Sequence, residues 1–195
     1  MTFGVSHLGH FLLVNLLTEK IKVNAPSRII NVSSCANSQL LPREGIDFDN
    51  LNGEKGGYSA MGVYAQAKLA NIYHVKELQR RFDAEGVDLT VVSIYPGNSM
   101  LVSSLLRTFS VAAAFWDACW NMRNCRLLLR EAVALKNLET SASTGILCSI
   151  SDDIVKGKFY SDNTINTDLV HEEADNKKLA KKLWVVSERL LADKM

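Results

Sequence analysis

Apolar residues recur at three- and four-residue steps over residues 2–22, where Phe3, Leu8, Phe11, Leu12, Asn15 and Leu16 fall near one stripe. That period predicts a helix, and Pro26 breaks it. Residues 27–34, SRIINVSS, form a short β-branched run after the turn signal and predict a buried strand. Residues 35–59 are polar and hold Pro42, Gly45, Asn50, Gly53, Gly56 and Gly57. They predict a long loop, and long ordered loops inside compact domains are often functional. Helical spacing returns over 60–84, with Tyr64, Lys68, Asn71, Ile72, Val75, Leu78 and Phe82 in step and Gly86 as the stop signal. Residues 88–95, DLTVVSIY, predict a second buried strand closed by Pro96–Gly97.

The rest of the chain is less regular. Residues 100–135 are apolar but interrupted by Arg107, Asp117, Arg123, Arg126 and Arg130, which rules out a clean membrane span. Helical pieces over a pocket are expected there. A helix is predicted over 137–151, a short strand over 157–161, and an amphipathic helix from His171 to Ala192 with Leu179, Leu183, Val186 and Leu190 on one side. The alternation of helix and strand predicts an α/β fold with crossover helices. The strands at 27–32 and 89–95 should be adjacent and parallel, and the one near 157–160 should lie beyond the second.

Composition narrows the class. The chain has 195 residues, 47% of them hydrophobic, and a formal net charge of +1. One domain over 1–195 is expected, with no electrostatic footprint for nucleic acid. Cys35, Cys119, Cys125 and Cys148 form no CxxC pair, and the four histidines are dispersed, so neither a metal site nor a disulfide framework is expected. Reduced thiols fit an intracellular setting. The opening MTFGVSHLGHFLL lacks the basic flank and cleavage site of a signal peptide. It looks like the interior of a helix, as if the chain started in the middle of a fold.

The chemistry centres on Tyr64 and Lys68. Four residues apart on a helix, they share a face. An isolated phenol ionises near pH 10, and a neighbouring ammonium favours its charged form. Such a Tyr can pass a proton to or from a substrate oxygen while hydride moves at the adjacent carbon. Alone, this spacing is common. It gains weight because a strand ending in Asn31-Val32-Ser33-Ser34 precedes the helix and one ending in Tyr95-Pro96-Gly97 follows it. Parallel strands gather ligands beyond their C-terminal ends. Ser34 stands at one such end, able to hydrogen-bond a substrate oxygen, and Gly97 lets backbone approach a flat ring closely.

The ordered set resembles the short-chain dehydrogenase/reductase family over nearly the whole chain. Phe3-Gly4-Val5-Ser6-His7-Leu8-Gly9-His10-Phe11-Leu12-Leu13 and Tyr64-Ala65-Gln66-Ala67-Lys68-Leu69-Ala70-Asn71 are similar to the retinol-dehydrogenase-like branch, as is the long loop between Ser34 and Tyr64. The resemblance implies an incomplete Rossmann-like, doubly wound parallel sheet lacking its N-terminal strands. It implies an NAD(P)-dependent oxidoreductase acting on a small lipophilic alcohol or carbonyl, retinoid- or steroid-like. Ser34 would orient the substrate and Tyr64 would be the general acid/base. Lys68 would lower the Tyr64 pKa and hold the nicotinamide ribose, with Pro96 and Gly97 against the nicotinamide. Residues 100–129, with Phe109, Phe115, Trp116 and Trp120, would form the substrate lid. NAD or NADP would be the cofactor. The resemblance leaves open membrane association through an upstream segment, a cytoplasmic setting, and homo-oligomerisation.

The chain also departs from the family. It has no glycine-rich turn of the G-x-x-x-G-x-G type and no strand ahead of Thr2 to hold one, so an N-terminally truncated chain is expected. Ser6 stands where the branch has an Asn that supports a proton relay, Leu101 where many relatives have Thr, and Tyr95 where His is common. The competing expectation is a catalytically inactive truncated form or pseudoenzyme serving as an interaction module. On either view the chain alone is expected to show no measurable hydride transfer.

Overall fold

The computed structural model is described over residues 2–57, 59–97 and 136–192; the expected lid and Leu101 lie outside the described residues. The described residues form a sheet in the order β1-β2-β3-β4, with β1 at Ser27–Val32, β2 at Leu89–Tyr95, β3 at Phe159–Ser161 and β4 at Thr164–Ile165. β1 and β2 are parallel, in register from Ser27 opposite Leu89 to Val32 opposite Ile94. β3 adds in parallel to the far side of β2, with Ser93 opposite Phe159. The expected parallel α/β architecture is therefore present, as part of a Rossmann-like sheet. β4, antiparallel to β3, was not expected. It follows a two-residue turn in which Asp162 and Asn163 both take positive φ, 54° and 62°.

Side-chain alternation along β2 divides the core. Leu89 and Val91 pack with Val75, Leu78 and Phe82 of helix α3 (Ala60–Glu85). Val92 and Ile94 pack with Cys148 of helix α4 (Leu138–Ile150). Successive side chains of a strand point to opposite faces, so the sheet is sandwiched between these two helices. α3 starts at Ser59, whose side chain accepts a hydrogen bond from the Gly62 N–H, and ends at Gly86 with φ 69°. Both ends lie within a residue of the expected ones.

Two helices differ from expectation. The first helical run includes a π-helical stretch at Gly4–Leu8 before α1 (Gly9–Val23). The wider i→i+5 turn aligns Phe3, His7 and Phe11 as the buried face. The predicted stripe was set too far round: Leu16 is 72% exposed. The loop at 35–59 holds one short helix, α2 (Ala36–Gln39). At the C-terminus a 3-10 turn at Glu172–Asp175 precedes α5 (Lys177–Ala192). Its buried line is Ala180, Leu183, Trp184 and Ser187, whereas Val186 and Leu190 are half-buried. The amphipathic reading identified the helix but placed its inner face about one position off. None of the helices among the described residues is long and apolar enough to cross a membrane.

Candidate active site

β1 delivers Ser33 and Ser34 to the C-terminal edge of the sheet. The Ser33 N–H donates to the Ile94 carbonyl at 2.7 Å, extending the ladder past Val32. The Ser33 hydroxyl donates to the Lys68 carbonyl at 2.7 Å, which pins the strand end to α3. The chain then turns into α2, and the Ser34 hydroxyl oxygen accepts from the Ala36 N–H at 3.3 Å.

Tyr64 and Lys68 rise from the first turns of α3 toward this edge. The Ser34 side chain lies close enough to the Tyr64 phenol to lower its pKa. The Lys68 ammonium stands 5.3 Å from the centre of the Tyr64 ring and donates to the Val32 carbonyl at 3.0 Å. Ser34, Tyr64 and Lys68, chosen from sequence, thus converge. Their electrostatics differ from the simple expectation. Burial pushes the Tyr64 phenol up, the nearby Ser34 side chain pulls it down, and Cys35 pushes it up again. The net direction is upward, so burial sets the resting state of Tyr64 as the protonated phenol. Lys68, only 8% exposed, is itself lowered to about 8 by burial.

Pro96 and Gly97 follow β2 at the same edge. Gly97 has φ 91°, a conformation that favours glycine. A Cβ there would come within 2.5 Å of the Lys136 side chain, which lies across the turn. The Lys136 ammonium pairs with the Asp162 carboxylate at 2.5 Å and reaches the Pro96 carbonyl at 3.5 Å. Sequence reasoning did not single out Lys136 or Asp162, which meet only through the fold.

Sequence reasoning also missed a buried polar group behind Lys68. Asn71, fully buried, donates to the Ser6 and Val32 carbonyls, both at 3.1 Å. Its side-chain oxygen lies 3.1 Å from His7 Nδ1, and His7 Nε2 lies 3.0 Å from the Ser187 hydroxyl. Ser6, the position that departs from the family's Asn, contributes its backbone carbonyl here. The only sequence signal was polar residues on otherwise apolar helix faces: His7 four after Phe3, and Asn71 three after Lys68. Among the described residues no group of His, Cys, Asp and Glu is placed to hold a metal ion.

Comparison with known proteins yields consistent relatives. No protein-family model matches the chain. It is 39% identical over 193 residues to human "Retinol dehydrogenase 11", covering 98% of this chain and 54% of the relative. It is 33% identical over 201 residues to human "Retinol dehydrogenase 13", covering 98% and 54%. It is 33% identical over 196 residues to "Short-chain dehydrogenase TIC 32 A, chloroplastic" of Brassica napus, covering 97% and 56%. The chain thus spans about half the length of the curated relatives it matches. A crystal structure of an uncharacterized protein from Mycobacterium paratuberculosis superposes with a TM-score of 0.63 at 26% identity, covering 96% of this chain and 57% of that one.

Proposed function

We propose that this chain, which is similar to two retinol dehydrogenases and a chloroplastic short-chain dehydrogenase, supplies the acid/base centre of an NAD(P)-dependent oxidoreductase. The substrate class proposed is a lipophilic alcohol or carbonyl, retinoid- or steroid-like. The observation that carries the reading is the approach of Ser34 to the Tyr64 phenol, whose pKa it lowers, and of the Lys68 ammonium to within 5.3 Å of the ring centre. Within the branch, we propose a likeness of Pro96-Gly97-Asn98 and of residues 183–190 to the WW domain-containing oxidoreductase.

The described residues fit the nicotinamide-ribose end of a dinucleotide. Tyr64 and Lys68 offer a hydroxyl and an ammonium, and Gly97, which follows β2 at the same sheet edge, has no side chain of its own to keep a flat ring away. When bound, the dinucleotide supplies or accepts the hydride. The chain's own part is the proton. Ser34 holds the substrate oxygen against the Tyr64 hydroxyl. In carbonyl reduction the phenol, kept protonated by burial, donates its proton to that oxygen as the carbon is reduced. In alcohol oxidation the proton travels back to the phenolic oxygen. Lys68, charged below about pH 8, stabilises the phenolate left after donation.

A second reading, a binding module without turnover, is favoured by Lys136 lying across Gly97. One experiment separates them. The protein produced from its own gene is given retinal or a steroid ketone with NADH or NADPH, and oxidation of the reduced cofactor is followed. Saturable turnover that Tyr64→Phe abolishes is expected. Turnover that survives this substitution overturns the acid/base assignment, and saturable cofactor binding without turnover favours the module.

A further inference from the structure

Asn71, His7 and Ser187 come from three separate elements, α3, the π-helical stretch and α5, yet meet in one buried line behind Lys68. The hydrogens on that line can be assigned from chemistry alone. The carbonyls of Ser6 and Val32 can only accept, so the Asn71 amide nitrogen must face them and spend both its N–H bonds there. The Asn71 oxygen therefore faces His7, and His7 must donate from Nδ1. A neutral ring with its proton on Nδ1 accepts at Nε2, so the Ser187 hydroxyl donates. Every donor and acceptor named is used, which is what a rigid buried network requires. Burial keeps His7 neutral, lowering it to about 4.

The line ends on the Val32 carbonyl, which also receives the Lys68 ammonium. We infer that Ser187, His7 and Asn71 are positioning residues: through the shared Val32 carbonyl they fix where the Lys68 ammonium stands beside Tyr64. The catalytic consequence rests on the function proposed above; the geometric claim does not. Asn71 also anchors the Ser6 carbonyl, so the π-helical stretch is held to α3 although Ser6 offers a shorter side chain than Asn. The other groups bearing on Lys68 are the Tyr64 ring and His10, whose own pKa Lys68 helps to lower.

Two measurements test the chain without requiring turnover. In the intact protein with 15N-labelled histidine, the His7 resonances, identified by their loss in His7→Gln, should report the Nδ1–H tautomer and no protonation down to about pH 5. The Nε2–H tautomer, or titration near the usual histidine value, overturns the assignment. The ionisation of Lys68 is then read from pH-dependent acylation mapped by mass spectrometry. Asn71→Asp places a negative charge beside the ammonium and should raise its midpoint by about one unit. Ser187→Ala should shift it by less, and Ser187→Thr, which keeps the hydroxyl, should restore it. Ser187→Ala removes a single oxygen atom, so its result remains readable if Asn71→Asp does not fold. An unshifted midpoint in the folded variants overturns the inference. Loss of turnover in Tyr64→Phe tests the proposed function separately, so failure of one claim is distinguishable from failure of the other.

Discussion

The two ends of α3 solve opposite problems. At its C-terminal end Val75, Leu78 and Phe82 pack into the cluster formed with Phe11, Leu89, Val91 and Trp184. The cations there are compensated: Arg80 and Arg81 bind the Glu77 carboxylate at 2.6 and 3.0 Å, and Arg81 stacks 3.9 Å from the Trp184 ring centre. These contacts lower Glu77 and raise Arg80. At its N-terminal end Lys68 is buried against a carbonyl and an aromatic ring, and among the described residues no carboxylate offsets its loss of water. One helix thus carries a stabilising end and an end where an uncompensated charge is tolerated. Such placement is characteristic of functional sites, where perturbed ionisation is useful chemistry and unfavourable for stability.

The largest expected effect breaks the comparison at the site end. Tyr64→Phe should lower turnover by about 10²- to 10⁴-fold, the usual contribution of a positioned acid/base group. Thermal unfolding should be nearly unchanged, because the hydroxyl's partner Ser34 is half-buried and also bonded to Ala36. Parallel kinetics and melting curves check both. At the opposite end Phe82→Ala should cost about 3–5 kcal/mol. In any folded fraction the Tyr64–Ser34 pair should remain, and denaturant titration measures the loss.

Acid should weaken the packing of the π-helical stretch and α1 against α3. His7 and His74, lowered to about 4 and about 3 by burial, remain neutral in the folded chain. The unfolded chain takes up these protons from about pH 6.5. The unfolded state therefore binds more protons as pH falls, and stability declines from about 6.5 toward 4, by an amount on the order of a few kcal/mol. Denaturant titrations across that window should show the decline, and His74→Phe should flatten it. Lys68→Met should do something unusual for a site residue: abolish turnover yet raise stability at neutral pH by about 1–3 kcal/mol, since a desolvated charge is removed. Folded Lys68 loses its proton near 8 and the unfolded chain only near 10.5, so wild-type stability rises between those values, and the variant should lack that rise. The smallest effect is Gly86→Ala, about 1 kcal/mol. Nothing lies within 4 Å of the added Cβ, so only the left-handed backbone resists it.

The legible part of the molecule was what is written locally. Ser59 and Gly86 mark the ends of α3 through capping chemistry, and the four-residue spacing of Tyr64 and Lys68 puts them on one face. β1 and β2 were legible as strands because turn signals bound two β-branched runs. Their convergence with Ser34 followed from parallel topology. What escaped reading depends on distant partners. His7 meets Ser187 across 180 residues, and Asn71 meets Ser6 across 65. The first helix was misjudged because a π turn rotates its inner face, and no residue between Gly4 and Leu8 announces an i→i+5 bond. β4 is two residues long and follows a turn without glycine, so it carried no strand signal.

The position of Lys136 has a kinetic consequence. A planar molecule seated on the Pro96–Gly97 turn takes the space now held by the lysine methylenes, so its arrival is an exchange and not a simple addition. The lysine must swing away and release Asp162. The free energy of that release is subtracted from the newcomer's affinity, and the opening step sets a ceiling on how fast the turn can be occupied, however high the concentration outside.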